Sequence, residues 1–160
     1  MSKSTIRHKP FDSAHASLRE YYSMNCIFCQ IVAREAPAHI IYEDAKTLAF
    51  LDHRPQARGH TQLIPKEHFR WVYDITYFDE FFTTARYLTR GIIPVLKASS
   101  VTWATYGGEV PHAHLWIVPR YKNSPAFYEG GGKASHELAE TQELLSRALQ
   151  KNSYYISPTK

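Results

Sequence analysis

Two histidines at alternate positions are the first residues in this chain whose types and spacing suggest chemistry. The stretch "PHAHLWIVPR", Pro111 to Arg120, carries His112 and His114, and the alternation then lands on Trp116. Side chains on a strand point to opposite faces in turn, so His112, His114, Trp116 and Val118 share one face. Ala113, Leu115 and Ile117 share the other, which is apolar enough to pack on a core. At roughly 3.3 Å of rise per residue the two imidazoles are about 7 Å apart along the strand, close enough to act on one ligand. Imidazole near neutral pH is a nucleophile, a proton carrier and a metal ligand. A half-buried strand with a solvated face accounts for the same pattern.

The second constellation is "CIFC", which holds both cysteines of the chain, Cys26 and Cys29. Two cysteines make no disulfide framework, and a close pair in a reducing compartment more often binds metal or does redox chemistry. Structural zinc takes four Cys or His ligands in a tetrahedron, so two more are needed. His60, which opens the third strand, and His112, which opens the fifth, are the candidates. The alternative is a pair of small, buried hydrophobic cysteines.

These residues need elements to hold them. "CIFCQIVARE" reads as a short helical turn stopped before Pro37. "HIIYED" and "TLAFLD" read as two strands joined by a turn at residues 44–46, and "HTQLIPK" as a third strand that Pro65 ends. "HRPQARG" between them is a loop. Phe78, Phe81, Phe82, Ala85, Leu88 and Ile92 fall at spacings of three and four, an amphipathic helix. Gly91 and Pro94 interrupt it, and Pro94 predicts a kink or an early end before Ser99. "VTWATY" and "HAHLWIVP" are the fourth and fifth strands, and "YKNSPAFYEGGG" is a loop. "ASHELAETQELLSRALQK" is a second helix, with Ser135 as cap and Leu138, Leu144, Leu145 and Leu149 on its apolar side. "SAHASLREYY" makes a short helix from an Asp12 or Ser13 cap. The sum is an α+β fold: a five-stranded, mainly antiparallel sheet with a long helix and an appended C-terminal helix. Residues 1–24 read as an N-terminal extension, 25–122 as the domain proper, and 123–160 as a C-terminal loop, helix and tail.

The composition narrows the function classes. The chain has 160 residues, 44% hydrophobic and 21% charged, which suits one soluble domain with a real core. No apolar run approaches the roughly 18 residues that span a bilayer, and no secretory signal is evident, so a cytoplasmic protein with no membrane partner is expected. A net charge of +4 with scattered basic residues favours anionic ligands without a nucleic-acid-binding block.

Two blocks taken together, "NCIFCQIVAREAPAHIIYEDAKTLAFLDHRPQARGHTQLIPKEH" and "GGEVPHAHLWIVPR", resemble the histidine-triad (HIT) family of nucleotide hydrolases and transferases. The likeness spans about residues 25–121, with the "IFCQIV", "IIYED", "AFLD", "GH" and "IPK.H" elements in the family's order. It implies a homodimer and a purine nucleotide lying near "AFLD". It implies that Asp52 accepts from the ribose hydroxyls, that Phe28, Ile31, Leu51 and His53 line the base pocket, and that His114 attacks the α-phosphorus. It also implies a structural zinc site of Cys26, Cys29, His60 and His112. The substrate class so implied is a phosphoramidate or a dinucleoside polyphosphate, cleaved through a nucleotidyl-histidine.

Three features depart from that pattern. The third histidine is Trp116, whose indole has one N–H donor and no acceptor. Transferase relatives keep two histidines and place Gln third, so the loss does not remove nucleotidyl transfer. The segment before the motif is "ATYGGEVP", with Gly108 at the family's Gln position and Glu109 beside it. The amides of Gly107 and Gly108 remain able to bind phosphate oxygens. The extensions at both ends lie outside the family core. Packing or dimer contacts explain them more simply than substrate selection by Arg120, Tyr121 or Lys122. The enzyme reading therefore stands beside a second one, a nucleotide-binding protein with weak or lost catalysis.

Overall fold

A computed structural model of the chain describes residues 26–124 and 137–151. The expected N-terminal helix, the "YKNSPAFYEGGG" loop beyond Ser124 and the Ser135 cap lie outside the described residues.

The observed elements follow the sequence order closely. They are α1 (Ile27–Val32), β1 (His39–Glu43), β2 (Thr47–Leu51), β3 (Thr61–Pro65), α2 (Phe78–Leu96), β4 (Ser100–Ala104), β5 (Leu115–Arg120) and α3 (Leu138–Lys151), with a 3-10 turn at Val72–Asp74. All strands pair antiparallel in the order β1-β2-β3-β5-β4. This is the five-stranded α+β architecture read from the sequence.

Local chemistry explains the turns. Between β1 and β2 the Asp44 carboxylate accepts from the amides of Lys46 at 2.8 Å and Thr47 at 2.7 Å, an Asx-type turn. Between β2 and β3, Gly59 adopts a φ of 82°. A Cβ there would lie 2.2 Å from Leu96 Cδ1 and 3.3 Å from Pro119 Cγ, so only glycine lets this loop press on the end of α2.

The long helix buries one stripe. Phe81, Ala85, Leu88 and Ile92 are fully buried, whereas Phe78 is exposed and packs on Phe82 at 4.5 Å. Gly91 does not interrupt α2: it is the flat spot where Leu149 of α3 seats, since a Cβ would sit 2.5 Å from Leu149 Cδ2. Pro94 is also tolerated. It falls in the last turn, opposite the carbonyl of exposed Arg90, and the helix runs on only to Leu96 before Lys97 turns left-handed at φ 55°. The C-terminal helix contributes Leu145 and Leu149 to the main core, but Leu144, expected on the same side, is exposed. Arg58 ties α3 to the β2–β3 loop through Thr141 at 3.2 Å and Glu140 at 3.1 Å.

Two apolar layers result. One lies between the sheet and the helices α2 and α3. The smaller one, on the opposite face, joins Cys26, Phe28 and Ile31 of the α1 segment to Leu48, Phe50 and Ile64. The candidate site sits at the border of that smaller layer.

Candidate functional site

The motif residues straddle the start of β5. Ala113, Leu115 and Ile117 enter the main core, as the alternation requires. His112 and His114 point the other way, toward α1, and both are buried. The ring of Phe28 stands edge-on to each, at 5.8 Å from His112 and 5.4 Å from His114. Phe28 thus separates two environments, a metal-type cluster around His112 and an open pocket in front of His114.

The cluster is Cys26, Cys29, His68 and His112, whose ligand atoms all lie within 4.8 Å of one another. Nδ1 of His112 is 3.5 Å from both sulfurs, and Nδ1 of His68 is 3.2 Å from Cys29 Sγ. A tetrahedron with metal–ligand bonds of roughly 2.0–2.3 Å has edges of about 3.3–3.8 Å, so these separations fit one ion. Nε2 of His112 donates to the Pro65 carbonyl at 2.9 Å, which leaves the Nδ1 lone pair facing the sulfurs. The hydrogen bond from the Cys29 thiol holds Cys26 down at about 3, and the same shared proton pushes Cys29 up. Two thiols that compete for one proton are a donor set suited to a cation.

His60 is not part of this cluster, contrary to the expectation from the sequence. The sheet register gives the reason. In the antiparallel β3–β5 pair Leu63 faces Leu115, so residues that follow β3 run alongside those that precede β5. His68 follows β3 and His112 precedes β5. His60, which precedes β3, is carried to the far end, against Trp116 at 5.2 Å. There it is buried, and its Nδ1 accepts from the Gln56 amide at 3.3 Å. Burial lowers it from an ordinary 6.5 to about 4, with nearby Asp52 opposing and His114 adding to the shift. Its ring is held neutral, the proton is on Nε2, and among the described residues that N–H has no partner, on a side chain that lines the pocket.

The pocket has a volume of about 790 Å³. Phe28, Ile31, Leu51, Asp52, His53 and Trp116 all line it, together with His114. Gly107 and Gly108 do not, although the sequence suggested them as phosphate ligands. The Gly107 carbonyl is held at 2.8 Å by Arg70, which turns this loop toward Trp71. The neighbouring Glu109 does reach the pocket, and the Arg54 guanidinium lies 3.9 Å from it, so the carboxylate faces a cation. Tyr121 is engaged elsewhere, donating to the Arg58 carbonyl at 2.9 Å.

His114 has a fixed ring orientation. Its Nδ1–H donates to the His112 carbonyl at 2.7 Å, which places the lone pair of the neutral ring on Nε2, and the Tyr106 backbone also interacts with the ring. Burial lowers its basicity, partly offset by that hydrogen bond, so the neutral ring is favoured. Trp116 stacks at 6.5 Å from its ring. The Asp52 carboxylate is held from both sides. Oδ1 accepts from the Arg54 amide at 2.7 Å and Oδ2 from Gln62 Nε2 at 2.6 Å.

Sequence reasoning missed three contributors. His68 was visible within "IPK.H", but only the strand direction assigns it to the metal cluster. Gln62 sits in a strand otherwise read as apolar. Leu138 reaches the pocket rim from α3, a contact no local pattern encodes.

Comparison with known proteins agrees with this arrangement. The HIT domain profile matches residues 33–123. An uncharacterised HIT-like protein of Borreliella burgdorferi is 34% identical over 75% of this chain and 93% of its own. The adenosine 5'-monophosphoramidase HNT1 of Saccharomyces cerevisiae is 34% identical over 79% of this chain and 82% of its own. A zinc-bound histidine triad family protein from Mycobacterium smegmatis superposes with a TM-score of 0.68 at 33% identity, over 81% of this chain and 96% of that one. A hypothetical histidine triad nucleotide-binding protein from Sulfolobus tokodaii gives 0.72 at 27% identity, over 84% and 99%. With its antiparallel sheet, its histidine pair at the head of β5 and these relatives, the chain belongs to the HIT family.

Proposed function

We propose that the protein cleaves or transfers at the α-phosphate of a purine nucleotide conjugate, a phosphoramidate or a dinucleoside polyphosphate, through a nucleotidyl-histidine on His114. The observation that carries this is the His114 ring, held by the His112 carbonyl through Nδ1 on the wall of the pocket, so that the neutral ring has its lone pair on Nε2. The purine lies against Phe28, Ile31 and Leu51, and the ribose hydroxyls donate to Asp52. Nε2 attacks phosphorus, a P–N bond forms, and the bond to the leaving amine or phosphate breaks with its electron pair. The leaving group takes up a proton, and water or a second acceptor then attacks phosphorus and returns the electron pair to His114. Phosphate charge needs donors. The buried Nε2–H of His60 is one, beside the Trp116 that stands where the family has a third histidine.

Cys26, Cys29, His68 and His112 hold a structural zinc ion in this reading. Its contribution is rigidity: it ties the α1 segment, and with it Phe28, to the start of β5. The monophosphoramidase and the zinc-bound protein among the relatives support both proposals. We also propose a homodimer formed through β4. Among the described strands β4 has only β5 beside it, and Trp103 on it is 39% exposed next to Phe82. No described helix is long and apolar enough to cross a membrane, which is compatible with a cytoplasmic site of action.

Trp116 and the displaced Gly108 favour a second reading, a nucleotide-binding protein with slow chemistry. Turnover of adenosine phosphoramidate and diadenosine polyphosphates separates the two. The enzyme reading expects wild type to turn over and His114→Ala to lose roughly four or more orders of magnitude in kcat. Binding of AMP with no turnover in wild type overturns it. A large gain with Trp116→His then marks position 116 as the site of the loss.

A further inference from the structure

Gln62 is a polar residue where the fold asks for an apolar one. It is the second residue of β3, facing Phe50 of β2 and Trp116 of β5, and is only 5% exposed. Its amide orientation is fixed by chemistry. A carboxylate only accepts, so the nitrogen must face Asp52, and it does so at 2.6 Å. The oxygen is then left on the other side, buried and, among the described residues, without a partner. A buried carbonyl with no donor costs stability, whereas an apolar side chain of similar shape would not. Gln62 is therefore poorly explained as a packing residue.

Its effect falls on Asp52. The Arg54 amide fixes one carboxylate oxygen and Gln62 fixes the other. His53 and His60 approach the same group only at 3.9 and 4.0 Å, beyond hydrogen-bonding distance. Two of the roughly four lone-pair positions are thereby occupied, and one remains on each oxygen. That arrangement matches two adjacent hydroxyls, which donate one bond to each oxygen. Without the Gln62 bond, nothing described holds Oδ2, and the carboxylate turns about its Cβ–Cγ bond.

We propose that Gln62 is a positioning residue that locks the Asp52 carboxylate to receive a vicinal diol, and so sets a preference for ribonucleotides over 2'-deoxyribonucleotides. The proposal rests on the reading that places ribose at Asp52. The test is titration of AMP and 2'-deoxy-AMP into wild type, Gln62→Met and Gln62→Leu, with thermal melting of each. Wild type should bind AMP more tightly than 2'-deoxy-AMP. Both variants should weaken AMP by about tenfold, the worth of one hydrogen bond to a charged group, and leave 2'-deoxy-AMP nearly unchanged. Their melting temperatures should equal or exceed wild type. An equal loss on both nucleotides, or an unchanged AMP preference, overturns the role of Gln62 while nucleotide binding stands. No preference in wild type overturns the ribose contact at Asp52 and this proposal with it. Binding of neither nucleotide overturns the nucleotide reading altogether. Use of two variants of different shape keeps the test alive if one fails to fold.

Discussion

The buried His60 should make the fold sensitive to acid in a calculable way. In the unfolded chain its imidazole takes a proton as pH falls through 6.5, whereas in the folded protein it resists until about 4. Between those values the unfolded state binds more protons, so stability rises with pH and is lost as pH falls. At about 1.4 kcal/mol for each tenfold step in proton affinity, the full loss is about 3 kcal/mol. The cause is desolvation of a ring 1% exposed, which the Asp52 carboxylate 4.0 Å away only partly offsets. The perturbation is His60→Asn, whose amide oxygen can still accept from the Gln56 amide but does not titrate. Denaturant unfolding of wild type and variant from pH 7.5 to 4.5 gives the difference curve, in which acid effects at the cysteine-histidine cluster cancel. The variant should gain on wild type by roughly 2 to 3 kcal/mol over that range, nearly all of it below pH 6.5. Parallel curves would refute the reasoning, since they would mean that His60 titrates alike in both states. Metal content of the same variant should be unchanged, because His60 is not among the four clustered residues.

Two further outcomes follow from geometry. His68→Ala should lower bound zinc, measured by metal analysis after challenge with a chelator, from near one equivalent to well below half, because it removes one corner of the tetrahedron; full retention would remove His68 from the site. Gly59→Ala combines a left-handed φ of 82° with a Cβ 2.2 Å from Leu96 Cδ1, and should cost about 2 to 4 kcal/mol in denaturant unfolding. A loss under about 1 kcal/mol would mean that α2 yields at its end more easily than a packed helix does.

Much of the architecture was legible because it is encoded locally. The two-residue alternation in "HAHLWIVP" and the three-and-four spacing from Phe81 to Ile92 each report a face, and those faces are buried as expected. The exceptions are contacts between distant segments. Gly91 looked like a break in a helix, yet it is the seat for Leu149, 58 positions further along the chain. Phe78 and Leu144 fit an apolar stripe by spacing, but they fall at its margin, where no described element buries them.

The same division runs through the site. Residue type and strand geometry were enough to mark His112, His114, Cys26 and Cys29 as candidates, beside the plainer readings of a half-buried strand and a buried cysteine pair. Trp116 entered by the strand alternation and Asp52 by resemblance, and both line the pocket. What the sequence could not decide was which histidine completes the cluster. His60 and His68 flank one strand, and in sequence either is a fair partner for His112. An antiparallel pairing with Leu63 against Leu115 brings the end of β3 to the beginning of β5 and selects His68. It leaves His60 beside Trp116, buried on the wall of the pocket. Ligand type is a property of the residue. Ligand membership depends on strand direction and register, and those are fixed only when the sheet assembles.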